Sequence, residues 1–375
     1  MPMEPHDLLS PQVKQEIADI FRACEEDTPR TMSICQLSWT LQEQYHTAHA
    51  LPVASGTAAL LAALRVLHIT EPQDEVICPV NGYPAMVNAI VAAGATPVFC
   101  DVGDDLVLSA EAVAPWITPR TRAILMMQRF GFPGDPAAFR ALRAEHSGLR
   151  VVIDARQAYL PYVKSHHDLA SCADAVVLSF GKGGIINAGG GGALLTNDAE
   201  LSVAAANFIR HGSSQTPFFQ QFGLNCTISE LQALLILTLL DSYEDRYSKR
   251  MGRAQVILRA LQPLGYKPIP GFNETPNACH RLILQLPDAV EDPRQFISRI
   301  NSGGVLMRQA FPMLLSEYCA QQGLRYRSVP DGSLFPNASK HKERYVAILV
   351  DSRSGPDMVE RLRRQSAALL NLPLT

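Results

Sequence analysis

Lys182 stands in a stretch made almost entirely of glycine and apolar residues. Val176 to Thr196 reads as a short apolar strand (Val176 to Phe180), a Gly/Lys loop, the run Gly189 to Gly192, and a second apolar strand (Ala193 to Thr196). Glycine lets a backbone take positive φ and approach a ligand closely. A lone lysine framed by glycines is a candidate nucleophilic amine. Two other stretches could work with such an amine. Ser55-Gly-Thr57 opens a long Ala/Leu run ending near Leu67. The first free N–H groups of a helix opened this way favour an anion, and the two hydroxyls add donors. Asp154 closes the apolar run Arg150 to Asp154, where a carboxylate can face a ligand. Both stretches also have an ordinary reading, Ser55 as a helix cap and Asp154 as a helix cap or a surface residue.

These residues need a frame. Leu9 to Cys24 and Ile34 to Tyr45 carry apolar residues at helical spacing. Strands are predicted at Ala50–Ala54, Asp74–Pro79, Gly94–Asp101, Ala123–Met127 and Arg150–Asp154, with helices at Ala85–Ala93 and Pro136–Glu145. Apolar strands alternating with helices predict an α/β fold with a mostly parallel sheet. Ligands of such sheets bind beyond the carboxyl ends of the strands. Ser55, Tyr83, Asp154 and Ser179 all fall at or just past a predicted strand end. Ile228 to Tyr247 reads as one long Leu-rich helix. The shorter strands and helices after it predict a small α+β domain, so the chain divides into residues 1–247 and 248–375.

Composition narrows the function classes. The 375 residues are 47% hydrophobic and 18% charged, with a net charge of −3 and no basic block. Nucleic acid is therefore not an expected partner. Eight cysteines lie scattered, mostly in apolar runs and without metal spacing, which predicts reduced thiols in a cytoplasmic protein. No run approaches 18 apolar residues, so neither a membrane span nor secretion is expected. His166-His167-Asp168 has no third ligand spaced nearby and reads as a solvated loop, so no metal site is predicted. Arg156 reads either as a contact for an acidic substrate or as a surface residue.

An anion nest, an acid for a ring nitrogen, a planar group for a ring face and a lysine amine are together what pyridoxal phosphate requires. The order and spacing of the motifs then resemble the DegT/StrS-type sugar aminotransferases, a branch of the fold-type-I pyridoxal-phosphate enzymes. The resemblance rests on Ser55-Gly-Thr-Ala-Ala-Leu60, Asp74-Glu-Val-Ile-Cys-Pro79, Ala93 to Asp101, Val152-Ile-Asp-Ala-Arg-Gln-Ala158, Ser179-Phe180, Gly189 to Gly192 with Thr196-Asn-Asp198, Arg210-His-Gly212, and Gly223-Leu-Asn225 with Ser229 to Ala233. It implies that Gly56, Thr57 and Ser179 hold the cofactor phosphate and that Tyr83 lies on the ring face. Asp154 would meet the pyridine nitrogen and Gln157 the ring hydroxyl. Asn225 would reach the cofactor of a neighbouring subunit, which implies a homodimer with shared active sites. The implied substrate is a small molecule, a nucleotide-linked ketosugar or a comparable intermediate, with glutamate as amino donor.

The chain departs from the family pattern at the opening stretch. Counting from Ser179 and back from Gly189 both place the family's cofactor-bonding lysine at Gly184. Thr227 stands where the family commonly has arginine. Lys182, two residues early, is the candidate catalytic amine. Two residues of extended chain displace it by about 6.6 Å on the same face, so it reaches the ring only if the glycine-rich loop is rebuilt. The alternative is a lysine-less protein that binds pyridoxal or pyridoxamine phosphate non-covalently, either dehydratase-like or an impaired partner subunit. His211 is then the nearest base in sequence. Substrate selection is expected from the loops Phe130–Gly134, Tyr159–His167, Ser213–Phe222 and Met307–Ser316.

Overall fold

The computed structural model describes residues 11–25, 32–159, 169–213, 221–327, 335–350 and 354–373. Among these, the larger sheet contains β1 (His49–Val53), β2 (Glu75–Pro79), β3 (Thr96–Cys100), β4 (Thr121–Met127), β5 (Arg150–Asp154), β6 (Ala175–Ser179) and β7 (Gly192–Thr196). A smaller sheet contains β8 (Lys267–Pro268), β9 (Leu282–Gln285), β10 (Met307–Gln309) and β11 (Tyr345–Ile348). The helices of the first half are α1 (Pro11–Glu25), α2 (Met32–Tyr45), α3 (Gly56–Val66), α4 (Pro84–Ala93), α5 (Ala110–Val113), α6 (Pro136–Glu145), α7 (Leu169–Cys172) and α8 (Ala199–Phe208). Those that follow are α9 (Glu230–Asp241), α10 (Tyr243–Leu261), α11 (Pro293–Ser302), α12 (Leu315–Gln322), α13 (Pro336–Arg344) and α14 (Pro356–Leu369).

The larger sheet runs β1-β7-β6-β5-β4-β2-β3. From β6 through β3 every pairing is parallel, whereas β7 is antiparallel to both β6 and β1. The sheet is thus mostly parallel, as its alternation with helices predicted. The two reversals leave β1 pointing the same way as β6, so the residues after β1 reach the same edge as those after β2, β4, β5 and β6.

Strand periodicity sorts the core. Val76, Leu125, Val152 and Val177 pack into one buried apolar cluster with α3 and α4, and that cluster continues into the smaller sheet. Ile77, Ile124, Ile153 and Val176 pack into a second, with α2, α6 and α9. Successive strand residues point to opposite faces, and burying both faces explains why these strands read as continuous apolar runs. By the same parity Asp154 and Ser179 lie on the α3 side, with Val152 and Val177.

The helix expected over Ile228–Tyr247 is two helices. α9 ends at Asp241, Ser242 takes φ −90° and ψ 8°, and α10 starts at Tyr243. No glycine or proline marks this bend, and Tyr243 and Tyr247 extend the apolar pattern across it. Residues 243–261 then form one helix across the expected domain junction at 247/248. Among the described residues no helix is long and apolar enough to cross a membrane.

Candidate active site

Five chain segments meet at the carboxyl edge of the larger sheet. Ser55 caps α3, its Oγ accepting the Ala58 N–H at 3.1 Å, so its ordinary capping role holds. Gly56 and Thr57 form the first turn of α3 and line a cavity of about 500 Å³ with Ser179. A Cβ on Gly56 would lie 2.5 Å from Ser179 Cβ and 2.9 Å from its Oγ. Only glycine permits that approach, which brings the helix start, positive end first, against the Ser179 hydroxyl.

Tyr83 precedes α4, with Pro84 opening the helix. Its ring lines the cavity and is 51% exposed, which leaves a face free for a planar ligand. Asp154 ends β5 and is fully buried. Its Oδ1 accepts from Arg156 Nε at 2.8 Å and from the Arg156 backbone N–H at 3.2 Å. Arg156 Nη2 comes within 2.6 Å of Asp154 Oδ2, but outside hydrogen-bonding geometry, so these two atoms share a charge contact without a directional bond. Arg156 is 9% exposed and its guanidinium lies 5.5 Å from the Tyr83 ring centre. The surface alternative for Arg156 is therefore overturned, because a two-residue step from a buried strand end folds it back onto the carboxylate. Gln157 lines the cavity as well, and its Oε1 accepts the Phe130 N–H at 2.8 Å. That bond braces Phe130 at φ 55°, a left-handed conformation rarely adopted by a bulky residue.

The loop after β6 is a tight turn. Gly184 N–H donates to Gly181 C=O at 3.0 Å, and Gly183 has φ 83°. A positive φ at the third position is what a type II turn demands. Lys182 occupies the corner, exposed and on the cavity wall. A Cβ at Gly184 would sit 3.1 Å from the carbonyl oxygens of both Gly181 and Ser179 and 3.3 Å from that of Ile186. The loop is held at both sides, by Gln232 Nε2 donating to Ala188 C=O at 2.7 Å and by His280 Nε2 at 2.7 Å from Gly183 C=O.

Gly56, Thr57, Tyr83, Gln157, Ser179 and Lys182 therefore share one cavity wall, and Asp154 lies directly behind Arg156. Asn225 does not join them. It is exposed, pairs in an antiparallel bridge with Arg210, and its Oδ1 accepts from Thr227 Oγ1 at 2.8 Å. His211, at φ 61°, is likewise outside the cavity lining. Of the expected specificity loops, Phe130 and the segment Ala310 to Leu315 line the cavity. Residues 160–168, with His166, His167 and Asp168, and residues 214–220 lie outside the described residues. A larger cavity of about 670 Å³, between α1, α2, α9 and α10, borders Tyr159 but gathers none of the other candidates.

Arg129, His280 and Arg281 also line the site and escaped notice in the sequence. Arg129 follows an apolar strand, and Cys279-His-Arg281 precedes one. A basic residue next to a buried strand was the available signal. Burial and the neighbouring Arg281 charge pull the His280 ring down to about 3. The folded protein thus keeps His280 neutral, while the unfolded chain takes up its proton below about pH 6.5. That part of the stability is intact above about pH 6.5 and is lost as pH falls toward 3. The urea midpoint of wild-type protein should decline more steeply from pH 7 to 4.5 than that of His280→Gln. Parallel declines would remove His280 as the cause.

A model of the DegT/DnrJ/EryC1/StrS aminotransferase family matches residues 30–363. The chain belongs to this family. Among curated relatives, it is 38% identical over 191 residues to a UDP-N-acetyl-3-dehydro-alpha-D-glucosamine 3-aminotransferase of Acidithiobacillus ferrooxidans, covering 50% of this chain and 51% of that one. It is 38% identical over 207 residues to a dTDP-3-amino-3,4,6-trideoxy-alpha-D-glucose transaminase of Streptomyces venezuelae, covering 54% of each. The matched segments thus span about half the length of these relatives. The fold is similar over nearly the whole chain to an aminotransferase from Psychrobacter cryohalolentis, with a TM-score of 0.81 and 25% identity over 97% of both chains.

Proposed function

We propose that this protein is a pyridoxal/pyridoxamine-phosphate-dependent aminotransferase acting on a nucleotide-linked ketosugar or a related biosynthetic intermediate, with glutamate as amino donor. The observation that carries the reading is the convergence of Gly56, Thr57, Tyr83, Gln157, Ser179 and Lys182 on one cavity, backed by Asp154. The residues present fit the cofactor. The Gly56–Ser179 approach leaves a cradle no side chain could share, and Asp154 Oδ2 is buried without a directional donor.

In this reading the α3 amides, Thr57 and Ser179 hold the phosphate, and the open Tyr83 ring covers one face of the pyridine. Asp154 faces the ring nitrogen. Gln157, its carbonyl oxygen committed to Phe130, offers its amide NH₂ to the ring hydroxyl. When bound, the cofactor supplies an electron-accepting ring that stabilises negative charge on the substrate carbon beside it. Lys182 supplies the amine and moves the proton at that carbon. Residues 1–247 carry these groups, and residues 248–375 close the cavity with Arg281 and Ala310–Leu315. Asn225 serves a second copy of the chain, and exposed Phe222, Leu224, Leu231 and Leu235 nearby support a homodimer. The buried free thiols of Cys78, Cys100, Cys172, Cys226, Cys279 and Cys319 support a reducing, cytoplasmic setting.

One observation favours a second reading, non-covalent cofactor binding without a lysine. The Gly184 slot is rimmed by carbonyls and Lys182 stands exposed at a turn corner. Borohydride reduction of the cofactor-loaded protein, followed by peptide mass spectrometry, separates the two. A cofactor-modified Lys182 peptide, absent from Lys182→Ala, is expected. Tight cofactor binding with no modified peptide, and a gain of modification in Gly184→Lys, would replace the first reading with the second. No cofactor binding at all would sink both.

A further inference from the structure

The cavity wall carries more positive charge than the carboxylate behind it answers. Lys182, Arg129, Arg156 and Arg281 line it beside neutral His280, and its lining contains no aspartate or glutamate. Asp154, just behind, is engaged by Arg156. Arg129 is the informative member. It is 6% exposed, its Nε has no hydrogen-bond partner, and its close neighbour is the Phe130 ring, 4.4 Å from the guanidinium carbon. Among the described residues neither Arg129 nor Arg281 makes an ion pair. Burial, with the charges of Arg156 and Arg281, pulls Arg129 down to about 9. Asp154 lies within electrostatic range of Arg129 but is engaged by Arg156, so the buried guanidinium has no ion pair of its own, a costly arrangement that a ligand oxyanion would relieve.

Sheet order says where that partner sits. Arg129 follows β4, two strands from β6 and its Ser179, or about 9.5 Å at the usual strand spacing. Arg281, just ahead of β9, is brought to the same place by its own backbone, since Ala278 N–H donates to Gly131 C=O at 2.9 Å and His280 N–H to Phe130 C=O at 3.2 Å. An anion between them is separate from one at the start of α3. Planar guanidinium forks match the paired oxygens of carboxylates and phosphates.

We propose that Arg129 and Arg281 form a second oxyanion subsite, which holds a carboxylate or phosphate group of the substrate while the α3 cradle holds the cofactor phosphate. This rests on the preceding reading only in assigning the two anions to substrate and cofactor. Two sources of the oxyanion are compatible with it, the carboxylate of an acidic amino donor and the diphosphate of a sugar nucleotide.

Calorimetric titration of the full chain tests it, with pyridoxal phosphate as cofactor probe and glutarate and UDP as oxyanion probes. In cofactor-saturated protein one oxyanion probe binds, and whichever binds identifies the source. Arg129→Met and Arg281→Met each weaken it by about tenfold or more, and Arg129→Lys, which keeps charge but loses the fork, weakens it less. Cofactor affinity stays within about threefold in all variants. Arg129→Met melts no lower than wild type, since it removes an uncompensated buried charge, so weak binding there does not report misfolding. If neither probe binds, if the variants bind as well as wild type, or if probe and cofactor exclude each other, the subsite is wrong. Failure of wild-type protein to take up the cofactor sinks the preceding reading instead. The subsite then stands or falls on whether the two methionine variants weaken probe binding to cofactor-free protein.

Discussion

Asp154→Ala is expected to lower stability by about 3–5 kcal/mol, the usual cost of stripping one partner from a buried ion pair. The carboxylate is fully buried and Arg156 nearly so, at 9% exposure. With the carboxylate gone, the guanidinium keeps the Tyr83 ring as a neighbour but loses its counter-charge. The double variant Asp154→Ala/Arg156→Met removes both charges and should recover most of the loss, because replacing a whole buried pair with apolar groups is often neutral or better. Urea midpoints of wild type, both single variants and the double variant close the cycle. Additive losses would mean that the two side chains act independently, against the 2.8 Å contact between them. Pyridoxal-phosphate affinity measured on the same four proteins shows whether the pair also serves the ligand. Asp154→Ala should lose that affinity, and the double variant should not regain it.

Gly192→Ala is the second large effect. A Cβ there would lie 2.6 Å from Gly56 N and from Ser55 C, and 2.8 Å from Ser55 O. These are backbone atoms held by the start of α3, so no flexible side chain can yield. Forcing a methyl into such a contact costs about 1–3 kcal/mol, and it pushes the first turn of α3 away from Ser179. Binding of inorganic phosphate or of the cofactor should fall at least tenfold. The matched control is Gly190→Ala in the same glycine run. Gly190 has no positive φ, and its added Cβ meets Gln232 Oε1 at 3.4 Å, an ordinary contact. Gly190→Ala should therefore bind and melt like wild type. Equal behaviour of the two variants would mean that the cradle tolerates displacement.

How far such features can be read from residues alone depends on range. Strands and helices were legible where periodicity governs them. Pro136–Glu145 and Arg150–Asp154 form the elements expected of them because amphipathic spacing and continuous apolar runs are local properties. The meeting of Ser55, Tyr83, Asp154 and Ser179 at one edge was also legible, since the carboxyl ends of parallel strands share an edge. The four glycines at 189–192 were legible as a group, but their separate duties were not. Which of them touches backbone depends on α3, far away in sequence. Arg156 was left open between a substrate contact and the surface, and Arg129 was passed over, for a related reason. A charged residue after a strand usually meets solvent, and only the tertiary packing over β4 and β5 shows these two turned inward. The bend at Ser242 had no local marker at all.

The pairing of β1 with β7 also has a consequence for how the protein is made. His49 aligns with Thr196, and the Thr47 hydroxyl donates to Thr196 C=O at 2.9 Å across 149 positions. Contacts this distant carry a loop-closure cost before they return any stabilisation, and they form late. During synthesis the first strand and the start of α3 must therefore wait, unpaired, until more than half of the chain has left the ribosome. A nascent chain ending before Gly192 lacks the β7 edge against which Ser55–Thr57 are set. Phosphate capture should then appear abruptly with chain length, once the β7 segment is present, and a chaperone guarding the early apolar strands would release them at that point.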